Sequence, residues 1–207
     1  MKLFACALLG AGLLRAHDPV STKLTWSQEI SRIIFKRCAG CHNSGPISFL
    51  SYESARPWAK AIKEEVLNRT MPPWGAVKGF GDFRDDISLT QDEITRIAEW
   101  VEGGAPEGDL IYLPPSPKAR PKPLMPQARY VRRLRAPTTL LGIRPLASAE
   151  STQVTATFPD GSIVPLLWLH GYKRAWNRTF ICRSPVKLPA GTRISVTPPY
   201  SFEYLVR

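Results

Sequence analysis

Six prolines fall within residues 114–126 (PPSPKARPKPLMP), a stretch that contains no acid. Each proline ring fixes φ and removes a backbone donor, so this stretch can neither continue a helix nor pair in the middle of a sheet. It predicts a stiff, extended, basic linker over 114–128 that divides the 207-residue chain into two halves of domain size. Charge divides the chain at the same place. Residues 1–113 carry 13 Lys and Arg against 14 Asp and Glu, whereas residues 114–207 carry 15 against 3. Two differently built halves are implied. The apolar share of 43%, with 22% charged residues, excludes a wholly disordered, collagen-like or coiled-coil chain.

The uninterrupted apolar run over residues 3–14 is well short of the roughly 20 residues a helix needs to cross hydrocarbon. With Lys2 before it and Leu14-Arg15-Ala16 after it, the run reads as a signal peptide over 1–16, which predicts a periplasmic or otherwise exported protein. Loss of Cys6 with the signal leaves Cys38, Cys41 and Cys182, an odd set that is no disulfide framework.

The first half, 17–113, reads helical. Thr25-x-x-Gln28 is a capping-box pattern, and Ile30, Ile33 and Ile34 follow at helical spacing, so a helix from residue 26 to about residue 38 ends on Cys38. A second helix begins near Ser51 or Ser54, takes Pro57 in its first turn, carries Trp58, Ile62 and Val66 on one face and stops before Met71-Pro72-Pro73. A third opens on the capping box Thr90-x-x-Glu93, runs through Ile94, Ile97 and Val101 and ends at Gly103-Gly104. The loop over 79–86 reads as a solvated turn.

Cys38-Ala39-Gly40-Cys41-His42 falls at the end of the first helix and has the spacing of c-type haem attachment. Two thiols three positions apart can each add to one of haem's two vinyl groups, and the adjacent imidazole is then held beneath the iron. Competing readings are a redox cysteine pair, a zinc site and a simple disulfide. The first wants a βαβ setting, and the second wants four ligands where Cys182, His17 and His170 are remote in sequence. For a second iron ligand the sequence offers Met71, which Pro72 forces out of helical geometry, against Met125 in the linker and against His17 or His170. Core filling beside Trp74 is the alternative role for Met71.

These residues carry a family resemblance. The stretch 26–109 resembles a class I cytochrome c domain of exported bacterial multidomain proteins, through Cys38-x-x-Cys41-His42, Arg56-Pro57-Trp58-Ala59, Met71-Pro72-Pro73-Trp74, Leu89-Thr90-x-x-Glu93 and Trp100-Val101-x-x-Gly104-Ala105-Pro106. The resemblance implies an all-α cytochrome c fold, one covalent haem c held by Cys38 and Cys41, His42 as proximal ligand and Met71 as distal ligand, and one-electron transfer after export.

The second half, 129–207, alternates as strands over 153–158, 162–169, 178–183 and 193–197, with a Pro159-Asp160-Gly161 turn, and predicts an antiparallel β-sandwich. From about Leu140 to Val196 it resembles the C-terminal module of copper type II, ascorbate-dependent monooxygenase-like proteins through Leu141-Gly142-Ile143-Arg144-Pro145, Phe158-Pro159-Asp160-Gly161 and Pro189-Ala190-Gly191-Thr192-Arg193. That family's His-x-His copper pair is replaced here by Leu146-Ala147-Ser148, which cannot hold copper as imidazole does. The expectation is a sandwich without copper monooxygenase activity. The fold class expected for the whole chain is therefore a two-domain protein, an all-α cytochrome c fold followed by an antiparallel β-sandwich.

Seven basic residues from Lys118 to Arg135, with no acid among them, suit an acidic redox partner protein or the anionic surface of a membrane. Solvation of the linker is the plain alternative, and no recognition motif for nucleic acid accompanies the charge. Two function classes stay open. The favoured one is an electron carrier with no substrate at iron. The rival is a haem enzyme or gas sensor with an open or labile distal position, or a docking subunit of a larger exported redox complex.

Overall fold

The computed structural model describes residues 22–118 and 124–207. The signal-peptide expectation and His17 lie outside the described residues, as does the middle of the linker. Among the described residues no helix is long and apolar enough to cross a membrane.

A π-helical turn over Trp26–Ile30 leads into α1 (Ser31–Arg37). Thr25 caps it by accepting from Gln28 N. The wider π turn makes Glu29, rather than Gln28, the side chain that returns to Thr25 N, at 2.9 Å. Ser51 caps α2 (Tyr52–Ala55), which passes through a 3-10 turn at Arg56–Trp58, with Pro57 inside it, into α3 (Ala59–Leu67). Thr90 and Glu93 form a full capping box on α4 (Gln91–Glu102). These helices share one apolar cluster in which Trp26, Ile30, Ile34, Ile97 and Trp100 are wholly buried. Trp26 and Trp100 lie 6.1 Å apart at its centre, and the Trp100 indole donates to Pro106 O at 2.9 Å.

The second half forms β1 (Arg129–Val131), β2 (Thr138–Pro145), β3 (Ala149–Thr157), β4 (Ile163–Tyr172), β5 (Phe180–Leu188), β6 (Arg193–Thr197) and β7 (Phe202–Val206). They make two antiparallel sheets, ordered β1-β7-β2-β5 and β4-β3-β6. Alternation drives the packing. Val154 and Ala156 of β3 and Leu140 and Ile143 of β2 are wholly buried in the core that includes both sheets.

The expectation of an all-α cytochrome fold in front of a sandwich is overturned. Among the described residues the structure is mostly β, with seven strands in two antiparallel sheets, and its α-helices have only 4 to 12 residues. The physical reason lies in residues 74–86, which follow the second helix and which the sequence reading assigned to loops of a helical domain. They form an extended strap across the sandwich. Ala76 bridges Leu169 on the edge strand β4, and Phe83 bridges Cys182 on the edge strand β5. Val77 N donates to Trp168 O and Arg84 N to Ile181 O, both at 2.8 Å. One edge strand of each sheet, β4 and β5, thereby gains backbone partners. Trp74, Ala76 and Phe83 are buried in the sandwich core and absent from the helical cluster. Within the loop over 79–86 Phe83 is buried while Gly79, Asp82 and Asp85 stay exposed, so the solvated turn expected there is pinned to the sandwich through Phe83.

Candidate functional site

The site begins where α1 ends. Cys38 N closes the helix on Ile34 O at 2.8 Å, and the next residues form a tight turn in which Cys41 N and His42 N both donate to Cys38 O at 3.0 Å. Ala39 is buried beneath this turn, Cys38 is half-buried and Cys41 is exposed. Arg37, at the last position of α1, fixes the turn against α4. Its Nε lies 3.1 Å from each Glu93 carboxylate oxygen and its Nη1 donates to Asp86 O at 3.1 Å. Burial pushes the Cys38 thiol up to about 12, with Cys41 and Glu93 adding to the effect and Arg37 opposing it.

Beyond the turn the chain reverses, and Phe49 N donates to His42 O at 2.9 Å. The His42 ring stacks on Phe49 with centroids 4.6 Å apart and planes 22° from parallel. His42 Nδ1 lies 3.2 Å from Ile47 O. In that geometry Nδ1–H donates to the carbonyl, which leaves Nε2 as the ring nitrogen facing away from that contact, the orientation a ligating histidine needs.

Met71 reaches the same place from the other side of the sequence. After α3 the backbone turns through Arg69 at φ +55°, and Thr70 N and Met71 N both return to Glu65 O, at 3.0 and 3.3 Å. An apolar cavity of about 360 Å³ is lined by Cys38, Cys41, His42, Phe49, Ile62 and Met71. The four sequence-predicted site residues therefore line one crevice. Two thiols, an imidazole and a thioether sulfur around an apolar cavity are groups of the kind that attachment and ligation of a haem would use.

Other candidates lie elsewhere. Met125 is 53% exposed in the linker. His170 is exposed on β4 and shares with Met71 a second, larger cavity of about 570 Å³. Cys182 is buried in β5, and burial pushes its thiol up to about 11. In the segment where the resembled family carries copper ligands, Ser148 Oγ accepts from Arg174 N at 2.9 Å and Ala147 N donates to the Tyr200 hydroxyl at 3.0 Å. Among the described residues no group of three or more His, Cys, Asp or Glu side chains is placed to hold a metal ion.

The sequence reading missed Phe49, the Ile47 carbonyl and the burial of Trp74 in the sandwich core. The Gly45-Pro46 pair after His42 is the signal that could have found Phe49, because it predicts a reversal that brings the next aromatic back onto the imidazole. Trp58, expected on the same buried face as Ile62 and Val66, is instead 38% exposed and stands at the crevice. Comparison with family models, with curated proteins and with solved structures finds no match for this chain.

Proposed function

We propose that this protein is an exported c-type cytochrome that carries one covalent haem c and transfers single electrons. One observation carries the reading: Cys38, Cys41, His42 and Met71 line one apolar crevice, and the Nδ1 contact to Ile47 O leaves His42 Nε2 free to ligate. Cys38 and Cys41 are the two thiols for thioether attachment, His42 the proximal ligand and Met71 the distal ligand. When bound, the group would supply one-electron chemistry at an iron that His42 and Met71 would hold.

The chain's own residues do the rest. Phe49 and Ile47 O hold the imidazole plane, which would keep the ring in one orientation toward a bound iron. Ile62, Val66 and Phe49 keep the crevice dry, which sets the energy of the charged form against the neutral one. Trp58 and Ile47, each 38% exposed, stand at the crevice mouth, where a partner protein meets it. The basic face of the second half, with Arg129, Arg133 and Arg135 exposed, attracts an acidic redox partner.

The rival reading, a haem enzyme or gas sensor with a labile distal position, has its own supporting observation. Met71 is 41% exposed and borders the larger cavity as well as the crevice.

Absorption spectra of oxidised and reduced protein, matured with a cytochrome c assembly system, test both readings alongside Met71→Ala and haem staining on a denaturing gel. Covalent haem, a low-spin spectrum and loss of the methionine-to-iron band in the variant are expected. A high-spin spectrum that the variant leaves unchanged, with rapid carbon monoxide binding by the ferrous form, selects the enzyme or sensor reading. Absence of covalent haem refutes both.

A further inference from the structure

The loop that carries Met71 is tied down at both ends, and the two ties differ in kind. On the helical side the tie is two backbone hydrogen bonds to the single carbonyl of Glu65. On the other side only Pro72 and Pro73 separate Met71 from Trp74. Two consecutive prolines have fixed φ, so this connector is stiff, and it spans at most roughly 10 Å. Its far end sits in the core of the sandwich.

Trp74 is 4% exposed. Its ring meets Phe180 edge-on at 5.1 Å and Phe83 at 6.4 Å, and the guanidinium of Arg178 lies 5.3 Å from its centroid. Arg178 is held there by its own backbone, whose N–H donates to the Tyr172 hydroxyl at 3.1 Å, and its buried Nε has no hydrogen-bond partner. Immediately after Trp74, Gly75 O accepts from His170 N at 2.8 Å, and Val77 N donates to Trp168 O at 2.8 Å. Gly75 itself has φ +75°, and a Cβ there would stand 3.0 Å from the Trp176 ring.

We infer that the sandwich acts as a clamp on the distal-ligand loop, with Trp74 as the residue that positions Met71. The inference rests on the reading of Met71 as the distal ligand. It gives the second half a task that needs neither copper nor a substrate: strands β4 and β5, with Arg178 just before β5, hold Trp74, and the Pro-Pro connector transmits that hold to the methionine.

The test uses Trp74→Ala, Trp74→Phe and Arg178→Leu in the full chain. Two readouts are taken: carbon monoxide association with the ferrous haem protein together with its methionine-to-iron band, and amide hydrogen exchange of protein produced without haem. In Trp74→Ala, carbon monoxide association rises tenfold or more and the band weakens. Exchange at Met71 and Val77 quickens at least tenfold, while amides of Leu140 and Val154 keep parental protection. Trp74→Phe restores both readouts towards parental values, because a ring still fills the slot. Arg178→Leu leaves the core filled and loosens the loop several-fold, so it decides the matter if Trp74→Ala unfolds the sandwich. Parental carbon monoxide kinetics and exchange in Trp74→Ala, or in Arg178→Leu where the first unfolds, overturn the clamp. Exchange quickened equally at Leu140 and Val154 reduces Trp74 to a core residue and also overturns it. Failure of the underlying reading looks different: the parent protein then shows no covalent haem or no methionine-to-iron band.

Discussion

Replacing Glu93 with Gln probes the contact that fixes the cysteine turn. The Glu93 side chain accepts from Thr90 N at 2.8 Å as part of the α4 cap, and its two oxygens face Arg37 Nε at 3.1 Å each and Nη2 at 3.0 Å. Gln preserves the shape and can still cap the helix, so the substitution isolates the charge. The paired side chains are only 10% and 12% exposed, which puts the pair between a solvent-screened surface pair worth about 0.5 kcal/mol and a fully buried one whose disruption costs about 3 to 5 kcal/mol. Arg37 keeps its bond to Asp86 O, and some screening remains, so about 2 kcal/mol is expected at neutral pH. With a urea slope of about 2 kcal/mol per molar, the unfolding midpoint falls by about 1 M.

The pH dependence follows from the same contact. Burial alone would raise the Glu93 carboxyl, but the Thr90 N–H and the Arg37 guanidinium outweigh it and hold the carboxyl below its ordinary value. A depressed carboxyl stabilises the fold above its unfolded value of about 4.3 and loses that contribution as pH falls through the folded value. The gap between parent and variant is therefore full at about pH 7 and closes progressively below about pH 4. Urea unfolding followed by far-ultraviolet circular dichroism at several pH values measures it. A midpoint within 0.2 M of the parent at neutral pH, or a gap that stays constant to low pH, refutes the reasoning.

Phe49→Ala removes the ring beneath His42 and a core side chain that is 6% exposed, and is expected to cost about 3 kcal/mol in thermal or urea unfolding. Gly81→Ala meets both φ +84° and a Cβ position 2.4 Å from Leu166 O, so the strap must shift. Loss of about 2 kcal/mol and faster exchange at Arg84, whose N–H pairs with Ile181 O, are expected. Cys182, buried with a raised thiol beside the Phe83 bridge, should resist iodoacetamide at mildly alkaline pH in the native protein and react once the strap is released, as read by peptide mass spectrometry. Val154→Ala, at a wholly buried position of β3, should destabilise the sandwich by roughly 2 kcal/mol in the same unfolding assay.

Helix boundaries were the most legible feature of the fold because they depend on neighbours in sequence. The Thr90 and Glu93 box and the Ser51 cap form as their spacing predicts, and the first helix still delivers Cys38 although its opening turn is wider than expected. In the second half the Pro159-Asp160-Gly161 turn joins β3 to β4, but β1, β2 and β7 escaped. β2 is buried along most of its length, LLGI at 140–143, and gives no polar alternation to read. The donor residues of the candidate site were legible for the same local reason, since Cys38, Cys41 and His42 lie within five positions. Their support was not: Phe49 and Ile47 O act on His42 only because the loop folds back.

The sequence by itself determined the short-range features: the caps, the cysteine turn, the Pro-rich junction and the alternating strands, all of which follow from interactions between residues a few positions apart. Only the tertiary structure decided where residues 74–86 belong. Gly75, Gly79 and Gly81 leave that segment without helical or strand periodicity, so its own chemistry chooses no conformation. The unpaired edges of β4 and β5 choose it, by offering backbone partners to Gly75, Val77, Asp82 and Arg84 and a core slot to Trp74 and Phe83. Those edges are made of residues about 90 to 100 positions away, and long-range pairing of this kind leaves no trace in a local pattern.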